Sequence, residues 1–295
     1  MSLLIFALPG NEALAESLVK ALSAELGQAE FHRFPDGESY VRLSSPVEGR
    51  SVVLVDTLAE PDDKALPLLF TAALTKDLGA KRVGLVAPYL AYMRQDRRFH
   101  PGEAVTSTYF GRLVSRWIDW LVTVDPHLHR RASLDEIYSV PSKVVHAAPF
   151  IADWIVENIE RPVLVGPDRE SEQWVSTVAG HAAAPYIVLT KTRHGDRDVE
   201  IAVPDVETWR DYTPVLVDDI ISTGQTMIVT VRDLEKTGLA APVCIGVHAV
   251  FAGSAYEDLQ AAGAAKIVTC NTIRHPSNAI DLTEPIAKAA SLLAS

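Results

Sequence analysis

Short apolar runs alternate along this chain with stretches in which apolar residues recur every three to four positions. Runs of four to eight apolar residues are typical of buried strands, whereas the wider spacing is typical of one helix face. The series begins with Leu3–Leu8, continues with a helical stripe of Leu14, Leu18 and Leu22, and restarts after Pro141. The repeated alternation predicts an α/β protein with two similar domains, each a mostly parallel sheet flanked by helices.

The pattern also sets approximate element positions. The predicted strands are Leu3–Leu8, Val52–Val55, Val83–Ala87, Leu121–Val124, Val144–His146, Val163–Gly166, Ile187–Thr190, Val215–Val217, Val243–Val250 and Lys266–Thr269. The predicted helices lie near residues 12–26, 62–78, 105–118, 149–159, 171–181, 224–237, 254–263 and 284–294. We expect domains at residues 1–142 and 143–295, with the tail helix in the second. Residues 191–213 begin with a charged stretch and are predicted to form an exposed, flexible loop or hairpin with a functional role.

Composition and charge narrow the class of function. The 295 residues are 48% hydrophobic and carry a net charge of −11, which argues against a general nucleic-acid surface. No apolar segment approaches membrane-spanning length, and the short first apolar run lacks a preceding basic region. Cys244 and Cys270 lie in apolar strand-like runs and are predicted to be buried free thiols. We therefore expect a cytoplasmic protein without membrane or nucleic-acid partners.

The segment Val215–Thr226 carries the most informative chemistry. An apolar strand leads into Asp218 and Asp219, and a turn rich in hydroxyl groups then opens a helix. A turn at a helix N-terminus presents unpaired N–H groups to a phosphate, and Gly224 permits a tight backbone. The two acids are suited to accept hydrogen bonds from sugar hydroxyls. This arrangement predicts a ribose 5-phosphate site formed by Asp218, Asp219, Ser222, Thr223, Gly224, Gln225 and Thr226.

This segment closely resembles the phosphoribosyl pyrophosphate loop of type I phosphoribosyltransferases and of ribose-phosphate pyrophosphokinases. Further stretches resemble the pyrophosphokinases alone: Arg33–Tyr40, with Phe-Pro-Asp-Gly-Glu, and Pro88–Arg98, with Arg-Gln-Asp followed by Pro-Gly-Glu. The resemblance implies a phosphoribosyltransferase-like fold in both domains. It implies ATP contacts at Phe34, Asp36, Glu38, Arg94, Gln95, Asp96 and His127.

The same resemblance implies the metal and the catalytic groups. Asp125-Pro126-His127 resembles an Asp-Leu-His element whose His touches Mg–ATP, and Pro126 departs from that pattern. Pro167-Asp168 resembles a strand end whose Asp binds magnesium. Lys191 and Arg193 resemble the Lys-x-Arg of a flexible catalytic loop. The implied cofactor is therefore Mg²⁺, held by His127 and Asp168, and the implied catalytic residues are Lys191 and Arg193.

The implied activity is transfer of diphosphate from ATP to ribose 5-phosphate, which gives AMP and phosphoribosyl pyrophosphate for nucleotide biosynthesis. The resemblance also implies a homo-oligomer whose ATP site is completed by Phe34, Asp36 and Glu38 of a second copy. Nothing local in the sequence gives Phe34 a reason to be ordered. Two alternatives stay open: a phosphoribosyltransferase, which would leave the first domain unexplained, and an inactive regulatory paralogue, against which the intact Lys191 and Arg193 argue.

Overall fold

The computed structural model describes residues 3–128, 130–167, 171–193, 199–202 and 206–294. The chain forms two compact units. The first consists of Met1–Val145, Thr272–Arg274 and Leu282–Ser295, and the second of His146–Asn271 and His275–Asp281. Within the described residues, no helix is both long enough and apolar enough to cross a membrane.

Each unit contains a parallel six-stranded sheet, as predicted from the hydrophobic pattern. The strands of the first unit are β1 (Leu4–Ala7), β2 (Glu25–Leu26), β3 (Ala29–Arg33), β4 (Ser39–Leu43), β5 (Ser51–Val55), β6 (Arg82–Ala87), β7 (Trp120–Val124) and β8 (Ser142–Val145). Its helices are α1 (Glu12–Leu22), α2 (Pro61–Asp77), α3 (Thr106–Val114) and a short 3₁₀ turn at Leu134–Glu136. The sheet order is β2-β1-β5-β6-β7-β8, and β3 pairs antiparallel with β4 in a separate hairpin.

The second unit repeats this plan. Its strands are β9 (Pro162–Gly166), β10 (Tyr186–Val188), β11 (Thr190–Arg193), β12 (Val199–Ala202), β13 (Thr213–Ile221), β14 (Val243–Ala249), β15 (Lys266–Cys270) and β16 (Asn278–Ile280). Its helices are α4 (Ala148–Asn158), α5 (Glu172–Ala182), α6 (Gln225–Lys236), α7 (Ala255–Ala261) and a 3₁₀ turn at Val206–Trp209. The order β10-β9-β13-β14-β15-β16 matches that of the first sheet, and β11 and β12 form a hairpin. Segment 191–213, which was predicted to be a loop or a hairpin, thus begins with a β-hairpin.

The central strands of both sheets are buried on both faces, whereas edge strands such as β2 are exposed. The segments Val52–Val55 and Val163–Gly166 are fully buried, which explains why the sequence shows continuous apolar runs there instead of alternation. Cys244 and Cys270 are buried and free, as predicted. Burial raises the pKa of the Cys244 thiol to about 12, so this side chain is a core residue without nucleophilic character.

The C-terminal helix α8 (Thr283–Ala294) corrects the predicted domain assignment. The sequence predicts this tail helix in the second domain, and that assignment is wrong. Helix α8 packs against α1 and against β6, β7 and β8 of the first unit, with Ile286, Ala287 and Ala290 buried. Because an apolar helix face gains by burial against any complementary surface, chain order alone does not determine which domain receives it.

Three buried polar side chains join strand ends in the first unit. Asn11 Nδ2 donates to Asp56 Oδ1 at 3.3 Å, and Thr57 N–H donates to Asn11 Oδ1 at 2.8 Å. The Thr57 hydroxyl donates to the carbonyl of Thr272, which ties the C-terminal segment to this cluster. Asp56 is 1% exposed, and its Oδ2 accepts no hydrogen bond within the described part of the chain. Burial therefore raises the pKa of this carboxyl from 3.8 to about 7.

This burial predicts that stability depends on pH through Asp56. Because the folded-state pKa of about 7 exceeds the ordinary value of 3.8, the folded chain retains a proton that the unfolded chain releases between these values. The free energy of unfolding should therefore fall as the pH rises through this window, by up to about 1.4 kcal/mol per pH unit. Asp56→Asn should remove this fall and raise the urea midpoint at pH 8. Urea titrations from pH 4.5 to 8 would measure it, with exposed Asp63→Asn as the control. Parallel pH profiles for wild type and Asp56→Asn would contradict this account.

Candidate active site

The predicted phosphate loop lies between β13 and α6. Strand β13 extends through both acids to Ile221, four residues beyond the predicted strand end, because it pairs with β14 as far as Ile221 opposite Ala249. Gly224 has a φ of +64° at the position before α6, which an L side chain rarely adopts. No side chain caps the helix, so the first-turn N–H groups face outward at the positive end of the helix dipole. This geometry is suited to binding a phosphate.

The two acids lead directly into the loop and differ from it in burial. Asp218 and Asp219 are half-buried, and Asp219 N–H donates to Asp218 Oδ1 at 2.9 Å. Thr223, Gln225 and Thr226 are exposed, while Ser222 and Gly224 are half-buried. The seven predicted residues thus lie on the end of β13, the turn after it and the first turn of α6.

A cluster of three rings beside the loop was not predicted. The turn after β14 is hydrogen-bonded to the phosphate loop, since Phe251 N–H donates to the Ile221 carbonyl at 2.8 Å and Ala252 N–H to the Ser222 carbonyl at 3.1 Å. The Phe251 ring packs on His275 with 4.6 Å between ring centroids and on Tyr256 with 5.2 Å. These contacts support the loop from a distant part of the sequence, and no local pattern could have revealed them.

The predicted catalytic residues lie on the hairpin β11–β12. Lys191 is in register with Ile201, and Arg193 with Val199. The side chains of Lys191 and Arg193 lie outside the described part of the structure, as does the whole of Asp168, which follows Pro167 after β9. Their roles stay predictions.

The Arg-Gln-Asp segment lies in the irregular loop that connects β6 to α3. Arg94 is exposed, and the Gln95 carbonyl accepts a hydrogen bond from the Ser107 hydroxyl at 3.1 Å. The Asp96 side chain is only 4% exposed and pairs with Arg130 at 3.3 Å. In this structure the Asp96 carboxylate is directed toward the protein, and its predicted contact with ATP is untested.

Two arginines that were not predicted complete this basic region. Arg130 binds the Asp96 carboxylate, and Arg131 donates to the Asp96 carbonyl at 3.1 Å and to the Thr108 hydroxyl at 3.2 Å. Both arginines follow His127 closely in sequence. Two adjacent arginines in an acidic chain are a pattern that could have marked them as candidate site residues. They link the loop after β6 to the loop after β7.

His127 lies beyond the carboxyl end of β7, which is the neighbour of β6 in the first sheet. The carboxyl ends of parallel neighbours meet at one sheet edge, so His127 and the Arg-Gln-Asp segment share that edge. Asp125 and His127 have φ values of +29° and +54°, and His127 N–H donates to the Asp125 carbonyl at 2.9 Å. A left-handed backbone at two non-glycine residues is costly and is typical of functional sites.

The Phe34–Glu38 segment forms the turn of the hairpin β3–β4. Gly37 has a φ of +94°, and Phe34 N–H donates to the Glu38 carbonyl at 2.8 Å. Phe34 is 45% exposed, but its ring centroid lies 5.0 Å from that of His32 and 6.1 Å from that of Tyr40. The expectation that nothing local orders Phe34 is therefore wrong, because cross-strand ring packing in the hairpin holds it.

The first turn of α2 contacts both predicted ATP-binding segments. Arg33, at the end of β3, pairs with Asp63 at 2.9 Å, and the Tyr92 hydroxyl donates to Asp62. Desolvation and the Asp62 carboxylate raise the pKa of Tyr92 to about 12, so the phenol stays a donor. Thus one helix end orders the hairpin turn and the loop after β6.

The donor set is compatible with magnesium, although the described residues contain no cluster of three or more His, Cys, Asp or Glu side chains that could enclose a metal. Magnesium is usually held by one or two carboxylates, several waters and the phosphates of a nucleotide, so such a cluster is not required. The carboxylate predicted for this role, Asp168, lies outside the described residues, and the metal-binding roles of Asp168 and His127 stay predictions.

Comparison with known proteins gives the family. Residues 3–116 match the family described as the N-terminal domain of ribose phosphate pyrophosphokinase, and residues 133–284 match the phosphoribosyl transferase domain. The chain is 34% identical over 290 residues to a ribose-phosphate pyrophosphokinase of Methanopyrus kandleri, covering 97% of this chain and 98% of that one. It is 36% identical over 285 residues to one of Saccharolobus solfataricus, covering 94% and 96% of the two chains.

The fold agrees with this assignment. The structure superposes on phosphoribosylpyrophosphate synthetase from Mycobacterium smegmatis with a TM-score of 0.86 at 23% identity, covering 99% of both chains. The predicted α/β architecture with two parallel-sheet domains is thereby confirmed. The chain belongs to the ribose-phosphate pyrophosphokinase family of enzymes.

Proposed function

We propose that this chain transfers the terminal diphosphate of ATP to the anomeric hydroxyl of ribose 5-phosphate. A bond forms between the anomeric oxygen and the β-phosphorus, the bond from that phosphorus to the oxygen bridging to the α-phosphorus breaks, and AMP leaves. The hydroxyl proton is released to water, and we assign no general base. The observation that carries the proposal is that the loop with Arg94 and Gln95 and the residue His127 follow the neighbouring parallel strands β6 and β7 of the first unit, in addition to the strand, turn and helix of Asp218–Thr226 in the second. A phosphoribosyltransferase needs only the latter.

The second unit binds the sugar phosphate. Ser222 to Thr226 and the uncapped N-terminus of α6 hold the 5-phosphate through N–H and hydroxyl donors. Asp218 and Asp219 accept hydrogen bonds from the ribose hydroxyls. With the sugar held at both ends, the anomeric hydroxyl is oriented for in-line attack, and such positioning is a major part of catalysis in phosphoryl transfer.

The first unit binds ATP at the edge formed by β6 and β7. Arg94 and Gln95 contact the nucleotide, and Asp96 supports them through its pair with Arg130. His127 and Asp168 would hold Mg²⁺, and the metal would supply positive charge that neutralises the diphosphate. Phe34, Asp36 and Glu38 come from the hairpin of a second copy in a homo-oligomer.

The hairpin β11–β12 supplies the proposed catalytic residues. Lys191 and Arg193 close over the diphosphate, exclude water and stabilise the charge of the transition state.

We place the enzyme in the cytoplasm, because both cysteines are free and buried, as is usual in a reducing compartment.

A single assay tests the proposal. The purified chain is incubated with ATP, Mg²⁺ and ribose 5-phosphate, with no nucleobase, and products are followed by phosphorus NMR. We expect AMP and a sugar carrying both a 5-phosphate and a 1-diphosphate. Formation of neither product would leave the inactive paralogue. Consumption of added phosphoribosyl pyrophosphate only when a base is present would identify a phosphoribosyltransferase.

Asp218→Asn should weaken ribose 5-phosphate binding selectively. Its carboxylate is half-buried at the end of the apolar part of β13 and is proposed to accept from sugar hydroxyls. Loss of one charged acceptor is worth about 1.5–3 kcal/mol, or roughly 10- to 150-fold in affinity. Calorimetry measures both ligands separately. Asp211→Asn, which removes an exposed carboxylate 3.5 Å from Arg161 in the same unit, serves as the control. A loss of ATP affinity with sugar-phosphate affinity intact would reverse the site assignment.

A further inference from the structure

One carboxylate holds the irregular loop after β6 in its shape. Glu103 Oε2 accepts a hydrogen bond from Phe99 N–H at 2.7 Å and from His100 N–H at 3.0 Å. The same oxygen accepts from the Gln95 side-chain amide at 3.4 Å. Glu103 N–H in turn donates to the His100 carbonyl at 3.3 Å, which closes the turn. Three donors on one oxygen, two of them at short distance, form a charge-assisted anchor inside a loop without helix or strand.

The anchored backbone carries the basic side chains of the loop. The Phe99 ring has the Arg97 guanidinium 4.9 Å from its centroid and the Arg130 guanidinium at 5.5 Å. Glu103 thus holds the backbone of Phe99, the residue whose ring both guanidinium groups contact. Through Gln95 it also fixes a side chain that is proposed to bind the nucleotide.

Further contacts hold the adjacent residues Gln95 and Asp96. The Gln95 carbonyl is held by Ser107 at 3.1 Å, and Asp96 is held by Arg130 at 3.3 Å. Between Asp96 and Glu103 the chain contains Arg97 and Arg98, whose like charges repel one another. The Glu103 carboxylate opposes that repulsion from within the turn and leaves the guanidinium groups exposed to solvent.

We infer that Glu103 is a positioning residue for ATP: it does not touch the nucleotide, but it presents Gln95, Arg97 and Arg130 in the arrangement that binds it. This inference rests on the proposed ATP role of the loop. Its structural part, that Glu103 orders residues 96–102, does not.

Limited proteolysis tests the structural part of the inference, and steady-state kinetics tests the ATP part. Trypsin cleaves after Arg97 and Arg98 only when the loop opens enough to enter the protease. Glu103→Ala should accelerate that cleavage by about 10-fold or more, as followed by mass spectrometry without any ligand, since three hydrogen bonds are lost. It should raise the KM for ATP by about 10-fold, with kcat and the KM for ribose 5-phosphate within about twofold of wild type.

Two variants complete the test. Glu103→Gln keeps an oxygen acceptor for the backbone N–H groups and should restore the KM for ATP to within about threefold. Glu12→Ala removes another glutamate that accepts a backbone N–H in an exposed turn, from Gly10 at 3.0 Å, and should leave every readout unchanged. Urea unfolding curves show that each variant is folded.

The outcomes divide clearly. Faster cleavage together with a selectively raised KM for ATP supports the inference. Unchanged cleavage in Glu103→Ala, or faster cleavage with an unchanged KM for ATP, overturns it, although wild-type turnover would still support the proposed function. Failure of the wild-type chain to form AMP would overturn the proposed function, whatever the protease shows.

Discussion

Replacing Lys191 with alanine is expected to lower kcat by at least about 100-fold while changing either KM by much less. Lys191 lies on the hairpin β11–β12, which connects β10 to β13 near the sugar-phosphate loop in sequence. Its charge is proposed to act on the diphosphate during transfer, when negative charge is redistributed. An interaction that is strongest in the transition state affects kcat, whereas uniform binding affects KM.

Steady-state kinetics with each substrate varied measures this effect. Lys236→Ala is the control, because Lys236 is an exposed lysine of the same unit that pairs only locally with Asp233 at 2.6 Å. Lys191→Arg retains the charge and should retain more activity than the alanine variant. An unchanged kcat in Lys191→Ala would remove the residue from catalysis and leave β11–β12 as a plain surface hairpin.

Mixing two inactive variants should restore activity if the ATP site is shared between subunits. Phe34→Ala damages the hairpin turn of β3–β4, and Arg94→Ala damages the loop after β6 of the same unit. At a two-fold interface, each site takes the loop of one chain and the hairpin of the other. A mixed dimer therefore contains one site with both lesions and one site with neither.

Random reassociation makes half of the dimers mixed, each with one intact site of two, so about a quarter of wild-type activity should return. Each variant alone, taken through the same dissociation and reassociation, is the control and should stay nearly inactive. Confirmed reassociation without recovery of activity would mean that Phe34 and Arg94 belong to a site built within one chain.

The sequence predicted most elements because their signals are local. The apolar runs became β5, β6, β7, β9 and β14 with a shift of one residue at one end, since burial on both faces requires continuous apolar residues. The missed elements lack that signal. Ala29–Arg33 reads as a polar stretch and is largely exposed, and Asn278–Ile280 has only three residues.

The residues of the candidate site likewise divide into those that local sequence signals predict and those that depend on tertiary contacts. Asp218 to Thr226 could be recognised because strand, acids, turn and helix N-terminus are consecutive, so their geometry follows from local backbone rules. The role of Glu103 as an anchor could not, because it depends on how an irregular loop folds back on itself. The support from Phe251, Tyr256 and His275 likewise depends on strand order in the second sheet.

The sequence by itself determined the α/β class, the two repeated units and the strand, turn and helix of Asp218–Thr226, because hydrophobic period and consecutive motif residues act over short distances. Only the tertiary structure decided that α8 packs on the first unit, that Asp96 pairs with Arg130, and that the Phe34 ring packs against His32 and Tyr40. These outcomes depend on which surfaces and charges meet after folding. Burial is non-directional, and an ion pair forms with whichever opposite charge is brought near, so neither partner can be identified from its own place in the chain.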